Sequence, residues 1–124
     1  MNNEQPGILG LLKRRMVNAS NYSRQGLLSC FKHEEAFRVE VVLATVLIPL
    51  ALIVADTPVE LILLVGSVLL VLMVELLNSA VEAVVDRIGE EHHELSGRAK
   101  DQGSAAVMLS LGLVLITWLL IGFN

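Results

Sequence analysis

Apolar residues fall in three long runs along this chain, divided by short polar stretches. The first run, 41–55, carries no charge. With 36–39 added it reaches the roughly 20 residues needed to cross a bilayer, and Arg38 is then placed to snorkel toward the headgroups. Pro49 lies inside this run and is expected to kink it modestly, which membrane helices tolerate. Asp56-Thr57-Pro58 ends the helix, with Pro58 suited to open the next. The second run begins at Leu61 and meets no charge until Glu75. The third, 104–123, is uncharged throughout. Ahead of them, Ile8, Leu11, Leu12 and Met16 recur at helical spacing beside Lys13, Arg14 and Arg15, the pattern of a basic helix lying in the membrane interface. Residues 1–6 read as a disordered start, and Asn21-Tyr22-Ser23 with Gly26 are expected to interrupt the surface helix. No apolar core of a secretory signal follows the basic cluster before Val41.

The expected fold is therefore an all-α membrane protein. An amphipathic surface helix occupies 1–33, and a three-helix transmembrane domain occupies 34–124, with spans at 36–55, 60–85 and 104–123. A solvated polar connector is expected over 88–103. Composition agrees: 54% of residues are hydrophobic and only 4% aromatic, so the apolar mass is aliphatic and suits lipid-facing helices. The mean hydropathy of +0.66 is too high for a small soluble globule. The single cysteine, Cys30, permits no intrachain disulfide and no CxxC site. It reads as a small residue near the membrane surface.

The positions of the charges matter more than their sum of −4. All nine Lys and Arg residues stand before the first span, at its entrance (Arg38), or between the uncharged parts of the second and third. By the positive-inside rule the amino terminus and the 86–103 connector are cytoplasmic, and the carboxyl terminus lies outside. The expected location is the bacterial inner (cytoplasmic) membrane.

The unusual chemistry is at the end of the second span. On a helix turning about 100° per residue, Glu75, Glu82 and Asp86 fall within a stripe roughly 40° wide, with Asn78 about 60° to one side. Ionisable groups inside a span are costly, and those that occur there are usually functional. Glu75 is roughly 10 Å deeper than Glu82, suited to act as a general base on a hydroxyl arriving from the membrane. Glu34 and Glu82, at the cytoplasmic level, suit a hard divalent cation such as Mg²⁺. Arg98 and Lys100 are placed to meet phosphate charge. On spacing alone His92 and His93 read as connector residues. The nine glycines form no phosphate-binding loop, and no HRD or DFG set of the protein kinases is present. Residue chemistry thus reaches a polyacidic site at the cytoplasmic face of a membrane helix, and stops there.

The run from Glu75 to Arg87, the run from His93 to Val107 and the segment Glu34-Glu35-Ala36-Phe37-Arg38-Val39-Glu40 together resemble the prokaryotic integral-membrane diacylglycerol kinases. The likeness covers about 34–118; before residue 31 it is weak, resting chiefly on Tyr22-Ser23 and Gly26. It implies transfer of the γ-phosphate of MgATP to diacylglycerol, giving phosphatidate, in phospholipid metabolism. It also implies a homotrimer with active sites shared between subunits. Three thin helices shield Glu75 and Glu82 from lipid less well than an oligomer would, which agrees with this. By the family's pattern Glu75 is the general base and Asn78 helps hold the site. Glu34 and Glu82 bind the metal. Glu91, His92, His93, Lys100 and Asp101 contact ATP together with Glu34 and Glu82, as do Arg15 and Tyr22. Ala36, Phe37, Arg38, Val39, Glu40, Ser104 and Trp118 join Glu75 in meeting the lipid. Glu35, beside Glu34, is set aside by the register of Ala36-Phe37-Arg38.

Three rivals remain on sequence grounds. An undecaprenol kinase of the same family would keep the chemistry and change the acceptor; the connector resembles the diacylglycerol-using branch more. A small proton-coupled transporter would also carry a membrane carboxylate, but it leaves the stripe's continuation to Asp86 unexplained. A non-catalytic helper subunit would copurify with a larger partner. No nucleic-acid partner is expected.

Overall fold

The computed structural model describes residues 7–124; the expected disordered start at 1–6 lies outside the described residues. Four helices follow in order: α1 (Ile8–His33), α2 (Glu35–Val54), α3 (Pro58–Ile88) and α4 (Glu94–Gly122). The protein is an all-α membrane protein, in which α2, α3 and α4 are each long and apolar enough to span. α3 is the hub, packing on both α4 and α2, while α1 touches α2 and α3 more lightly.

Local chemistry sets the joints. Glu34 is the single non-helical residue between α1 and α2, at φ −113° and ψ 111°. The Arg38 side chain turns back there, its Nη1 donating to the carbonyls of Phe31 and Lys32 at 3.0 Å each. It thereby caps carbonyls that the end of α1 leaves unpaired. The expected snorkelling of Arg38 toward headgroups is replaced by this cap. At the next joint the Thr57 hydroxyl accepts from the Glu60 amide at 3.2 Å, and the Glu60 carboxylate accepts from the Asp56 amide at 2.7 Å. This reciprocal cap, with Pro58 in the first turn, starts α3. Within the spans, Thr45, Ser67 and Ser110 each donate to the carbonyl three residues earlier, so none presents a bare hydroxyl to an apolar surround.

Two sequence expectations are corrected. α1 runs unbroken through Asn21-Tyr22-Ser23 and Gly26. Each such residue costs a helix only about 0.5–1 kcal/mol relative to Ala, too little to break one with good helix formers on either side. The polar connector shrinks to 89–93, because α4 starts at Glu94 and already contains Arg98, Lys100 and Asp101. His93 caps it, its Nδ1 accepting from the Leu95 amide at 3.1 Å, and Glu94 in the first turn complements the helix dipole. Pro49 does not interrupt α2, which is continuous from Glu35 to Val54.

Candidate functional site

The α1–α2 elbow places the Glu34 carboxylate against α3. Its Oε1 accepts a hydrogen bond from the Ser79 hydroxyl at 3.1 Å, across 45 residues of chain. Beneath the elbow Cys30 is buried. Burial pushes its thiol above the usual range, Ser79 partly offsets this, and the carboxylates of Glu34, Glu75 and Glu40 add to the rise. A neutral thiol in that setting is a packing residue rather than a nucleophile. Its neighbours show that Glu34, Glu75 and Ser79 gather at one place. The sequence does not single out Ser79, although at i+4 from Glu75 it lies only about 40° from it on the helical wheel.

Along α3 the acidic stripe grades from interior to surface. Glu75 is 5% exposed, Glu82 is half-buried and Asp86 is exposed. Glu75 is thus already buried by the packing of its own chain, whereas Glu82 keeps part of its surface open. Asn78 is half-buried, and its amide oxygen is sealed from solvent without a donor.

Asp86 receives a hydrogen bond from Lys100 of α4 at 2.7 Å. That bond, and the Asp86 charge, raise the Lys100 pKa above its ordinary value, so the ammonium stays charged. The two side chains are 44% and 64% exposed. Such an ion pair is held weakly and exchanges readily for a stronger anion. Next to it a cleft of about 370 Å³ opens between the end of α3 and the start of α4. Glu91, His92 and His93 line it with Asp86, Gly97 and Lys100. His93, accepting at Nδ1, carries its proton on Nε2 when neutral. Asp101 is exposed and not among the cleft's walls.

The residues expected to meet lipid are dispersed. Phe37 is buried and Ala36 and Val39 are exposed, whereas Arg38 is committed to its cap. Glu40 lines a small cavity of about 60 Å³ among Leu43, Leu47, Val68 and Leu111, with one carboxylate oxygen buried and unpaired. Ser104 is exposed on α4. Trp118 lies roughly 21 Å further along α4, its indole nitrogen buried without a partner. Arg15 and Tyr22 stand exposed on α1, and among the described residues no hydrogen bond or ion pair ties either to another helix.

No cluster of three His, Cys, Asp or Glu side chains among the described residues encloses a metal position. Mg²⁺ is commonly held by one or two carboxylates plus substrate phosphates rather than by an all-protein cage. Glu34, ordered by Ser79, and the half-buried Glu82 fit that donor set.

Comparison with known proteins bears on the whole of this arrangement. The prokaryotic diacylglycerol kinase family profile matches residues 21–122. A diacylglycerol kinase of Haemophilus influenzae is 60% identical over 103 residues, which is 83% of this chain and 87% of that protein. The diacylglycerol kinase of Escherichia coli K12 is 49% identical over 104 residues, covering 84% and 85% of the two chains. One from Pseudomonas aeruginosa is 48% identical over 105 residues, 85% of each. The matched segment holds the elbow, the acidic stripe, the cleft and most of all three spans, so the likeness extends to every part of the site except the start of α1. On that footing the chain belongs to the prokaryotic diacylglycerol kinase family.

Proposed function

We propose that this chain is an ATP-dependent lipid kinase of the bacterial inner membrane that phosphorylates sn-1,2-diacylglycerol to phosphatidate. The observation that carries the mechanism is vertical. A buried carboxylate, Glu75, lies about three turns below an open polar cleft that holds an exchangeable cation, Lys100. A lipid hydroxyl reaches Glu75 from the membrane, and the nucleotide enters the cleft from the cytoplasmic side. Phosphoryl transfer asks mainly for alignment and charge stabilisation. Glu75 accepts the hydroxyl proton as that oxygen bonds to the γ-phosphorus, and the bond to the β–γ bridging oxygen breaks to release ADP. Lys100 leaves Asp86 for the phosphates. Glu91, His92, His93 and Asp101 contribute contacts around the nucleotide, and Asn78 donates within the site. Glu34 and Glu82 would hold Mg²⁺, which when bound neutralises phosphate charge.

The basic residues around the amino terminus and the 89–93 loop support a cytoplasmic side for both. A homotrimer with shared sites is supported by the apolar faces left open on the spans; in the most apolar stretch of α4 only 6% of residues are buried within the chain. Shared sites also give Arg15 and Tyr22 a place, at the nucleotide of a neighbouring subunit. The diffuse set Ala36–Glu40, Ser104 and Trp118 would follow the length of a lipid.

The test uses purified protein in mixed micelles with Mg²⁺ and γ-labelled ATP, offering diacylglycerol and undecaprenol separately. Label is expected in phosphatidate. Label only in polyprenyl phosphate would reassign the acceptor, and label in neither, from folded protein, would overturn the kinase. A second expected result concerns Ser79→Ala. Loss of one hydroxyl bond should cost about 0.5–1.5 kcal/mol of stability and raise the Mg²⁺ concentration for half-maximal rate, with Ser79→Thr restoring it. Mn²⁺ binding followed by EPR checks this independently of turnover; unchanged affinity would remove Ser79 from the site.

A further inference from the structure

The residue facing Asn78 across the α3–α4 packing is Gly103. A Cβ built on Gly103 would overlap the Asn78 amide oxygen, and the next two nearest atoms also belong to the Asn78 side chain. At Gly26, Gly66, Gly97, Gly112 and Gly122, all within helices, a Cβ meets nothing within 4 Å. Glycine weakens a helix interior, so helix formation does not explain its presence at 103. The space it leaves is taken up by one amide.

The contact has a direction. The Asn78 oxygen is fully enclosed and lacks a donor, whereas its nitrogen is not among the buried unpaired atoms. An amide is planar, so seating the oxygen against α4 leaves the nitrogen as the donating end. The register of the two helices supports this seat. Lys100 is one turn before Gly103 on α4, and it reaches back to Asp86, two turns beyond Asn78 on the antiparallel α3. Side chains on a helix lean toward its N-terminus, so Lys100 spans the extra distance while Gly103 stays level with Asn78.

We propose that Gly103 is a positioning residue for Asn78: its missing side chain seats the amide oxygen against α4 and presents the amide nitrogen, a donor, to the acidic face that carries Glu75 and Glu82. This rests on the kinase reading, in which a donor at that place meets the oxygens of the phosphoryl group in transfer and an acceptor would repel them. Preorganised donors of this kind act on the chemical step.

The experiment introduces Gly103→Ala into the full-length protein and into Asn78→Ala. In the wild-type background kcat is expected to fall by about 10²-fold or more, as for loss of one preorganised donor, with little change in KM for ATP or lipid. The ¹⁵N-edited signal of the Asn78 side-chain amide should move. In the Asn78→Ala background, Gly103→Ala should cause no further loss of residual turnover and no fall in Tm, the non-additivity of two residues acting as one unit. Wild-type kcat in Gly103→Ala would overturn the proposal. So would an equal loss of Tm, or of folding, in both backgrounds, which would mark Gly103 as a general packing contact. If the wild-type protein phosphorylates no lipid, the kinase reading fails, while the amide signal and the paired Tm values still decide whether Gly103 seats Asn78.

Discussion

Glu75→Gln is expected to lower turnover by about 10²–10⁴-fold, the range for removing a general base, while leaving the fold in place. The substitution keeps the volume of the side chain and removes only its capacity to take a proton. Glu75 is 5% exposed in the middle of the chain's own packing, with no hydrogen-bond or ion-pair partner among the described residues. A buried ionised group without a partner opposes folding, so a neutral amide there should leave Tm unchanged or raise it. MgATP binding should persist, since the proposed nucleotide cleft is lined by the end of α3 and the start of α4 rather than by Glu75. Three measurements, turnover, Tm and nucleotide affinity, separate the alternatives. A collapse of Tm with the loss of turnover would make Glu75 a structural residue, and a loss of affinity alone would move it to the nucleotide.

How far the sequence carried this picture depended on the range of the physics involved. The three spans were legible because hydrophobic runs must match bilayer thickness. The acidic stripe was legible because helical periodicity puts Glu75, Glu82 and Asp86 on one face. Contacts between helices were harder. Arg38 looks like a snorkelling cation until the elbow at Glu34 brings the carbonyls of Phe31 and Lys32 within its reach. His93 is an uncommon cap, so the start of α4 at Glu94 hid inside what reads as a charged loop. Gly103 lies in the run that resembles the family, but nothing in the sequence gives its role, since that lies in the side chain opposite. Ser79 did have a signal, by its place beside Glu75 on the wheel, but a hydroxyl in a membrane helix more often bonds its own backbone, as Ser67 and Ser110 do here. What distinguishes it is Glu34, brought near by the elbow.

Lys100→Met should lower turnover by about 10²–10³-fold, as expected when one charge-stabilising group is removed from a phosphoryl-transfer site, and should barely alter Tm. The reason for the second part is exposure: Lys100 and Asp86 are 44% and 64% exposed, and pairs of that kind contribute little to stability. The reason for the first is that the pair sits on the wall of the cleft, where a nucleotide's phosphates offer Lys100 a denser negative charge than one carboxylate. On the proposed mechanism Asp86 is a holding partner, keeping the ammonium extended before nucleotide arrives. Asp86→Asn releases that hold and should leave kcat far less changed than Lys100→Met, with tighter rather than weaker nucleotide binding because the competing anion is gone. Because the Lys100 pKa is raised rather than lowered, its charge persists as pH rises through the neutral and mildly alkaline range, so it should contribute no loss of rate there. Steady-state rates over pH and ATP concentration for the two variants decide the matter. Equal damage from both would show that the ion pair itself, rather than the released cation, is what the reaction requires.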